Sequence, residues 1–205
     1  MTERAASPPV AFVGLTGAVA AGKSEALAAF ERLGAQTLSS DAVVHELLAS
    51  EVLAAAIAER WGEEAAPDGA VDRARVGAVV FSDPEELRWL ESRLHPLVVE
   101  RVASWRDSLP AGTEVAVVEV PLLFETGMES VFDATVCVVA SDELRAARAG
   151  ERGTEALKER SARQLSQAEK SARATFVARN DGSREELLAE LKALWPRLRT
   201  KAEVA

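Results

Sequence analysis

Gly17-Ala18-Val19-Ala20-Ala21-Gly22-Lys23-Ser24 fits the spacing G-x-x-x-x-G-K-S/T. Residues in this pattern do chemistry when they form the loop between a strand and a helix. Successive backbone N–H groups and the helix N-terminus then converge on phosphate oxygens. In that setting the Lys23 ammonium reaches the outer phosphates and the Ser24 hydroxyl can hold Mg2+. Residues Gly17 to Glu25 are therefore candidate nucleotide contacts, with Ser24 a candidate metal ligand. A second candidate, Asp41, follows a short apolar run. At the carboxyl end of a strand, where ligands bind in doubly wound sheets, a carboxylate could accept the proton of an attacking hydroxyl. Asp is also a helix N-capping residue, and position alone allows both roles.

The third group is an island of arginines. From Arg145 to Arg184 there are eight Arg and two Lys against four Glu and one Asp, a segment near +5 in a chain whose net charge is -9. Guanidinium groups concentrated on an acidic protein suit a small polyanion; a solvated helix of paired Glu and Arg would give the same count. The overall acidity excludes a general nucleic-acid binder, which needs a basic surface. A single cysteine, Cys137, excludes an internal disulfide, and its apolar setting predicts a buried structural thiol. With two His and one Cys there is no zinc constellation.

These groups need a scaffold, and the hydrophobic pattern supplies one. Val10 to Leu15 reads as a strand, Lys23 to Leu33 as a helix ended by Gly34, and Ala35 to Leu38 as a second strand. From Ala42 to Trp105 the apolar spacing is helical, broken by the turn Pro67-Asp68-Gly69. Pro96 sits where a new helix can begin, which makes His95 a helix-end residue. Trp61, Trp89 and Trp105 predict a small core in this region. Val115 to Val120 and Ala134 to Ala140 are apolar on both faces, as central strands of a covered parallel sheet are. Thr175 to Ala178 reads as a last strand and Glu185 to Leu198 as a closing helix. Strands alternating with helices predict an α/β fold, a doubly wound parallel five-stranded sheet between helices. Residues 10–40 and 107–205 form its core, with a helical insertion over 41–106 and a lid over 144–170. No apolar run is long enough to cross a bilayer, and the N-terminal stretch carries Glu3 and Pro8-Pro9, so a cytoplasmic location is expected, with no membrane partner.

Taken in order, the motifs resemble the dephospho-CoA kinase family. Val13-Gly14-Leu15-Thr16-Gly17 leads into the phosphate loop, and Asp41 matches the second aspartate of the family's Asp-x-Asp pair. Asp68-Gly69-Ala70-Val71-Asp72-Arg73 looks like its D-G-x-L-D-R stretch, followed by Val80-Phe81 and His95-Pro96. Val118-Glu119-Val120-Pro121-Leu122-Leu123-Phe124-Glu125 resembles D-V-P-L-L-F-E. Arg148, Arg152, Arg160, Gln164 and Lys170 fall in the spacing of its arginine-rich lid, and Asn180-Asp181-Gly182 matches the loop after the final strand. Departures are visible as well. Ala18, Ala20, Ala21 and Glu25 stand in a loop that commonly reads G-G-I-G-S-G-K-S/T-T, and Ser39 replaces the first aspartate of the pair. His45 replaces Arg, Glu119 replaces Asp, and the lid is shorter between Arg152 and Arg160.

The resemblance implies a P-loop kinase that moves the γ-phosphate of ATP to the ribose 3′-hydroxyl of dephospho-CoA. It implies that Lys23 and Ser24 hold ATP and Mg2+, that Asp41 is the base, that Arg148 and Arg152 close over the phosphates, and that Asn180 lies at the nucleotide. Glu119 or Glu125 could reach Mg2+ through water. The partners implied are ATP and dephospho-CoA, with the chain a monomer or small homo-oligomer. A nucleoside or nucleotide kinase of similar architecture is the alternative; the long insertion argues against it. A guanine-nucleotide switch would need an Asn-Lys-x-Asp motif, which the sequence lacks.

Overall fold

The computed structural model describes residues 10–152 and 164–202. Five strands, β1 (Ala11–Gly17), β2 (Gln36–Ser39), β3 (Val115–Glu119), β4 (Ala134–Val139) and β5 (Phe176–Arg179), form one sheet in the order β2-β3-β1-β4-β5. Every adjacent pair is parallel. Parallel neighbours cannot be joined by tight hairpins, so each connection crosses over through helix or loop. The chain divides into two compact units, one running to Ser39 and resuming at Leu109, the other spanning Ser40–Ser108.

The first unit holds the sheet with α1 (Lys23–Arg32), α6 (Asp142–Arg152), α7 (Gln167–Arg173) and α8 (Arg184–Ala202). Strands β1, β3 and β4 are buried along their whole lengths, which is why they read as unbroken apolar runs. Alternation along β1 separates two interfaces. Ala11, Val13 and Leu15 join a core with Phe30 of α1 and Leu187, Leu191 and Leu198 of α8. Phe12 points the other way and stacks on Phe132 with ring centroids 5.0 Å apart. On that same face Gly14 leaves no room for a side chain, because a Cβ there would lie 2.7 Å from Leu123 and 2.8 Å from Phe132. Burying each large side chain of this kind contributes about 1.5–3 kcal/mol.

The second unit is all helical: α2 (Ser40–Leu48), α3 (Glu51–Trp61), α4 (Arg73–Ser82) and α5 (Pro84–Asp107). Leu53, Ile57, Val76, Val80, Leu90 and Leu94 form its core, and Trp61 meets Trp89 edge to face at 5.0 Å beside it. Asp72 caps α4 by accepting from the N–H groups of Ala74 and Arg75. Asp83 caps α5 in the same way, and Pro84 takes the first helical position.

Here the sequence expectation for Pro96 is corrected. It begins no helix; it lies inside the 24-residue α5, and His95 is an exposed mid-helix residue. An interior proline costs a helix about 3 kcal/mol. The buried stripe Leu90, Leu94, Val98 and Val102 runs unbroken past it and offsets that cost. Ser92, whose carbonyl loses its donor, and Pro96 both sit on the exposed side, where water can take over.

Candidate active site

The phosphate loop joins β1 to α1 in the first unit. Gly22 caps α1 with φ +95°, and a Cβ there would come within 2.0 Å of Asn180 Nδ2, so both backbone and space call for glycine. Lys23 turns back over the loop and donates from Nζ to the carbonyls of Gly17 and Ala18, each at 3.1 Å. Ser24 is exposed in the first turn of α1. Glu25 pairs with Arg184 at 3.0 Å and with Arg32 at 3.7 Å.

Side chains from two later elements close on this loop. Arg145 in α6 donates from Nε to the Val19 carbonyl at 3.1 Å. One helical turn on, Arg148 donates from Nη2 to the Asn180 carbonyl at 3.2 Å. Arg148 Nη1 is buried, has no hydrogen-bond partner among the described residues, and lies 3.8 Å from the position a Gly22 Cβ would take. A buried guanidinium donor left unpaired beside Gly22 at the start of α1 is a place where an anion gains both charge and hydrogen bonds. Asn180, itself buried, donates from Nδ2 to the Ala21 carbonyl at 3.0 Å, and its own N–H is held by Val139.

Beneath the loop lies a buried cation. Lys170, 0% exposed, donates to the Pro121 carbonyl at 2.6 Å, meets Glu125 Oε1 at 2.9 Å and approaches Thr16 Oγ1 at 3.5 Å. A lysine side chain is kept charged in such a place only when paired and hydrogen-bonded. It is delivered there by α7, which opens with a capping box between Ser166 and Glu169. The Ser166 hydroxyl and N–H bonds hold the Glu169 carboxyl below its ordinary range. Gln167 fixes the helix to the end of β4 through two 3.0 Å bonds with the Ala140 backbone.

The model of the dephospho-CoA kinase family matches residues 11–186. The chain belongs to the dephospho-CoA kinase family. It is 37% identical over 180 residues to the dephospho-CoA kinase of Jannaschia sp., covering 85% of this chain and 92% of that one. It is similar to the crystal structure of TT1252 from Thermus thermophilus, with a TM-score of 0.78 and 34% identity over 93% of this chain and 98% of that one. The dephospho-CoA kinase from Campylobacter jejuni, 24% identical with a TM-score of 0.69 over 92% and 97% of the two chains, shares the fold.

Of the residues singled out in the sequence, the first unit brings together the loop Gly17 to Glu25, Arg148 and Asn180. Asp41 belongs to the second unit, where it is exposed in the first turn of α2. It is not the N-cap that one reading of its position allows, since α2 already begins at Ser40; an acidic residue in that turn complements the helix dipole. Arg152 ends α6, its side chain outside the described residues, as Arg160 is altogether. Lys170 falls with the lid by spacing but is an internal cation. His45 is exposed, its Nδ1 2.7 Å from Arg73 Nη1. Glu119 is buried at the end of β3, in register with Leu15 and Ser39.

Sequence reasoning counted Arg145 in the arginine island but gave it no role of its own, although it stands three residues before Arg148 and so on the same helix face. Cys137 is buried as expected, and burial pushes its thiol up against the opposing effect of the Ser171 hydroxyl. For Mg2+, no group of three or more His, Cys, Asp or Glu gathers among the described residues. The exposed Ser24 hydroxyl fits an ion that keeps its waters and is held mainly by nucleotide phosphates. No helix among the described residues is long and apolar enough to cross a membrane.

Proposed function

We propose that the protein transfers the γ-phosphate of ATP to the ribose 3′-hydroxyl of dephospho-CoA, giving CoA and ADP. The observation that carries this reading is the loop of a dephospho-CoA kinase family member flanked by an Arg148 donor that has no hydrogen-bond partner among the described residues. The loop amides, Lys23 and Arg148 receive the phosphate tail. Ser24, together with the phosphates, would hold Mg2+, which would supply positive charge where negative charge builds on the phosphate oxygens. Asp41, two residues past the end of β2, takes the proton of the 3′-hydroxyl as that oxygen bonds to phosphorus. The bond from phosphorus to the bridging oxygen breaks, and its electron pair leaves with ADP. Phosphoryl transfer asks the protein mainly for positioning and charge, which a rigid loop and arginines provide. Arg152, whose side chain lies outside the described residues, is the further phosphate contact that the family resemblance implies, and the helical unit binds the dephospho-CoA.

A coupled ADP-release assay tests the reading. Dephospho-CoA as sole acceptor supports ADP formation, whereas nucleosides and nucleoside monophosphates do not. ADP release with those acceptors and none with dephospho-CoA would overturn it.

A further inference from the structure

We propose that Arg145 is a positioning residue whose guanidinium holds the phosphate loop in a left-handed bend that the sequence disfavours. The bend is at Ala20, with φ +62°, where a residue bearing a Cβ is strained and glycine is not. Strain of this kind persists only where the surroundings over-determine the backbone.

Two peptide planes set the conformation of Ala20, and both are held. The plane leaving it is fixed within the loop, because the Ala21 N–H donates to the Ala18 carbonyl at 3.2 Å. The plane entering it carries the Val19 carbonyl, which accepts from Arg145 Nε at 3.1 Å. Arg145 in turn is held on its own helix by Asp142, whose Oδ1 accepts from Nη1 at 3.0 Å, and only 22% of its side chain is exposed. The Ser141 N–H that precedes this helix is anchored to Asp181 at 2.6 Å. Arg145 therefore joins the loop at Val19 to a helix fixed independently of it. Where glycine would make the bend free, this chain has Ala20 and a tether on the preceding carbonyl.

This inference rests on the reading that the loop binds ATP, and the test separates the two. Binding of ATP with Mg2+ is measured by calorimetry for the wild type, Arg145→Ala, Ala20→Gly and the double variant, with Arg145→Gln as a second probe of the same side chain. Loss of Arg145 weakens binding roughly tenfold when residue 20 is Ala, the scale of one hydrogen bond from a charged group. In the Ala20→Gly background the same loss costs less than about threefold, because the bend no longer needs holding and the two sites are coupled. An equal loss in both backgrounds, as a direct contact to nucleotide or a general effect on the fold would give, overturns the proposal. So does an Arg145→Ala protein that binds as the wild type does. A wild type that takes up no ATP overturns the reading of the loop itself, and the purpose of the tether with it.

Discussion

In the sheet-containing unit, five polar side chains around the phosphate loop bond to backbone. Lys23 reaches Gly17 and Ala18, Arg145 reaches Val19, Arg148 reaches Asn180, Asn180 reaches Ala21, and Lys170 reaches Pro121. In the helical unit, four arginines bond to other side chains at the surface: Arg60 to Glu86, Arg75 to Glu64, Arg101 to Glu46, Arg73 to His45. Backbone carbonyls are already fixed by the sheet and the loop turns, so a side chain that binds one inherits its rigidity. Two long side chains that bind each other must both be ordered, and exposed pairs of this kind contribute little. Geometry is thus stored in the first unit, where charge must be met at fixed positions, while the second tolerates change on its surface.

Asp41 is the sharpest exception, an exposed residue of the helical unit to which chemistry is assigned. Asp41→Asn lowers turnover by about 10²-fold or more, the scale for losing a general base, with ATP binding by calorimetry nearly intact. Normal turnover in that variant removes Asp41 from the reaction and leaves the helical unit without a chemical role.

Lys170→Met probes the opposite pole of the comparison. It leaves Glu125 facing the buried site without its cation, and a broken buried pair of this kind costs about 3 kcal/mol or more. A Tm lower by about 6–12 °C is expected by calorimetry for a chain of this size. An unchanged Tm would mean that the buried network is not what stiffens the loop's foundation.

Glu86→Gln gives the smallest effect. The Arg60 and Trp61 hydrogen bonds hold the Glu86 carboxyl below its ordinary range. Its contribution to stability is therefore present above the unfolded carboxylate range and is lost as pH falls through the depressed folded value. The variant melts slightly lower than the wild type near neutrality, and the two curves converge in acid. A gap that widens in acid would contradict this.

The strands around the loop are legible in the sequence because they rest on local signals: unbroken apolar runs, a glycine-bounded loop, and a helix of regular period. What escapes is set by distant neighbours. Lys170 lies 154 residues from Thr16 and 49 from Pro121, and spacing alone makes it one more cation of an arginine-rich stretch. Arg145 meets a carbonyl 126 residues away. Pro96 misleads in the other direction, since a strong local signal for a helix start is overruled by the apolar stripe of α5. The departures in the loop are visible in the sequence, but only the backbone separates them: Ala20 has positive φ and Ala18 does not.

The most direct measurement is phosphorus NMR of the reaction mixture after incubating the protein with ATP, Mg2+ and dephospho-CoA. The account predicts a new phosphomonoester resonance on the ribose 3′-oxygen, growing as ADP appears and absent with Lys23→Ala. ADP accompanied only by inorganic phosphate, or a phosphoryl group on any other oxygen, would contradict it.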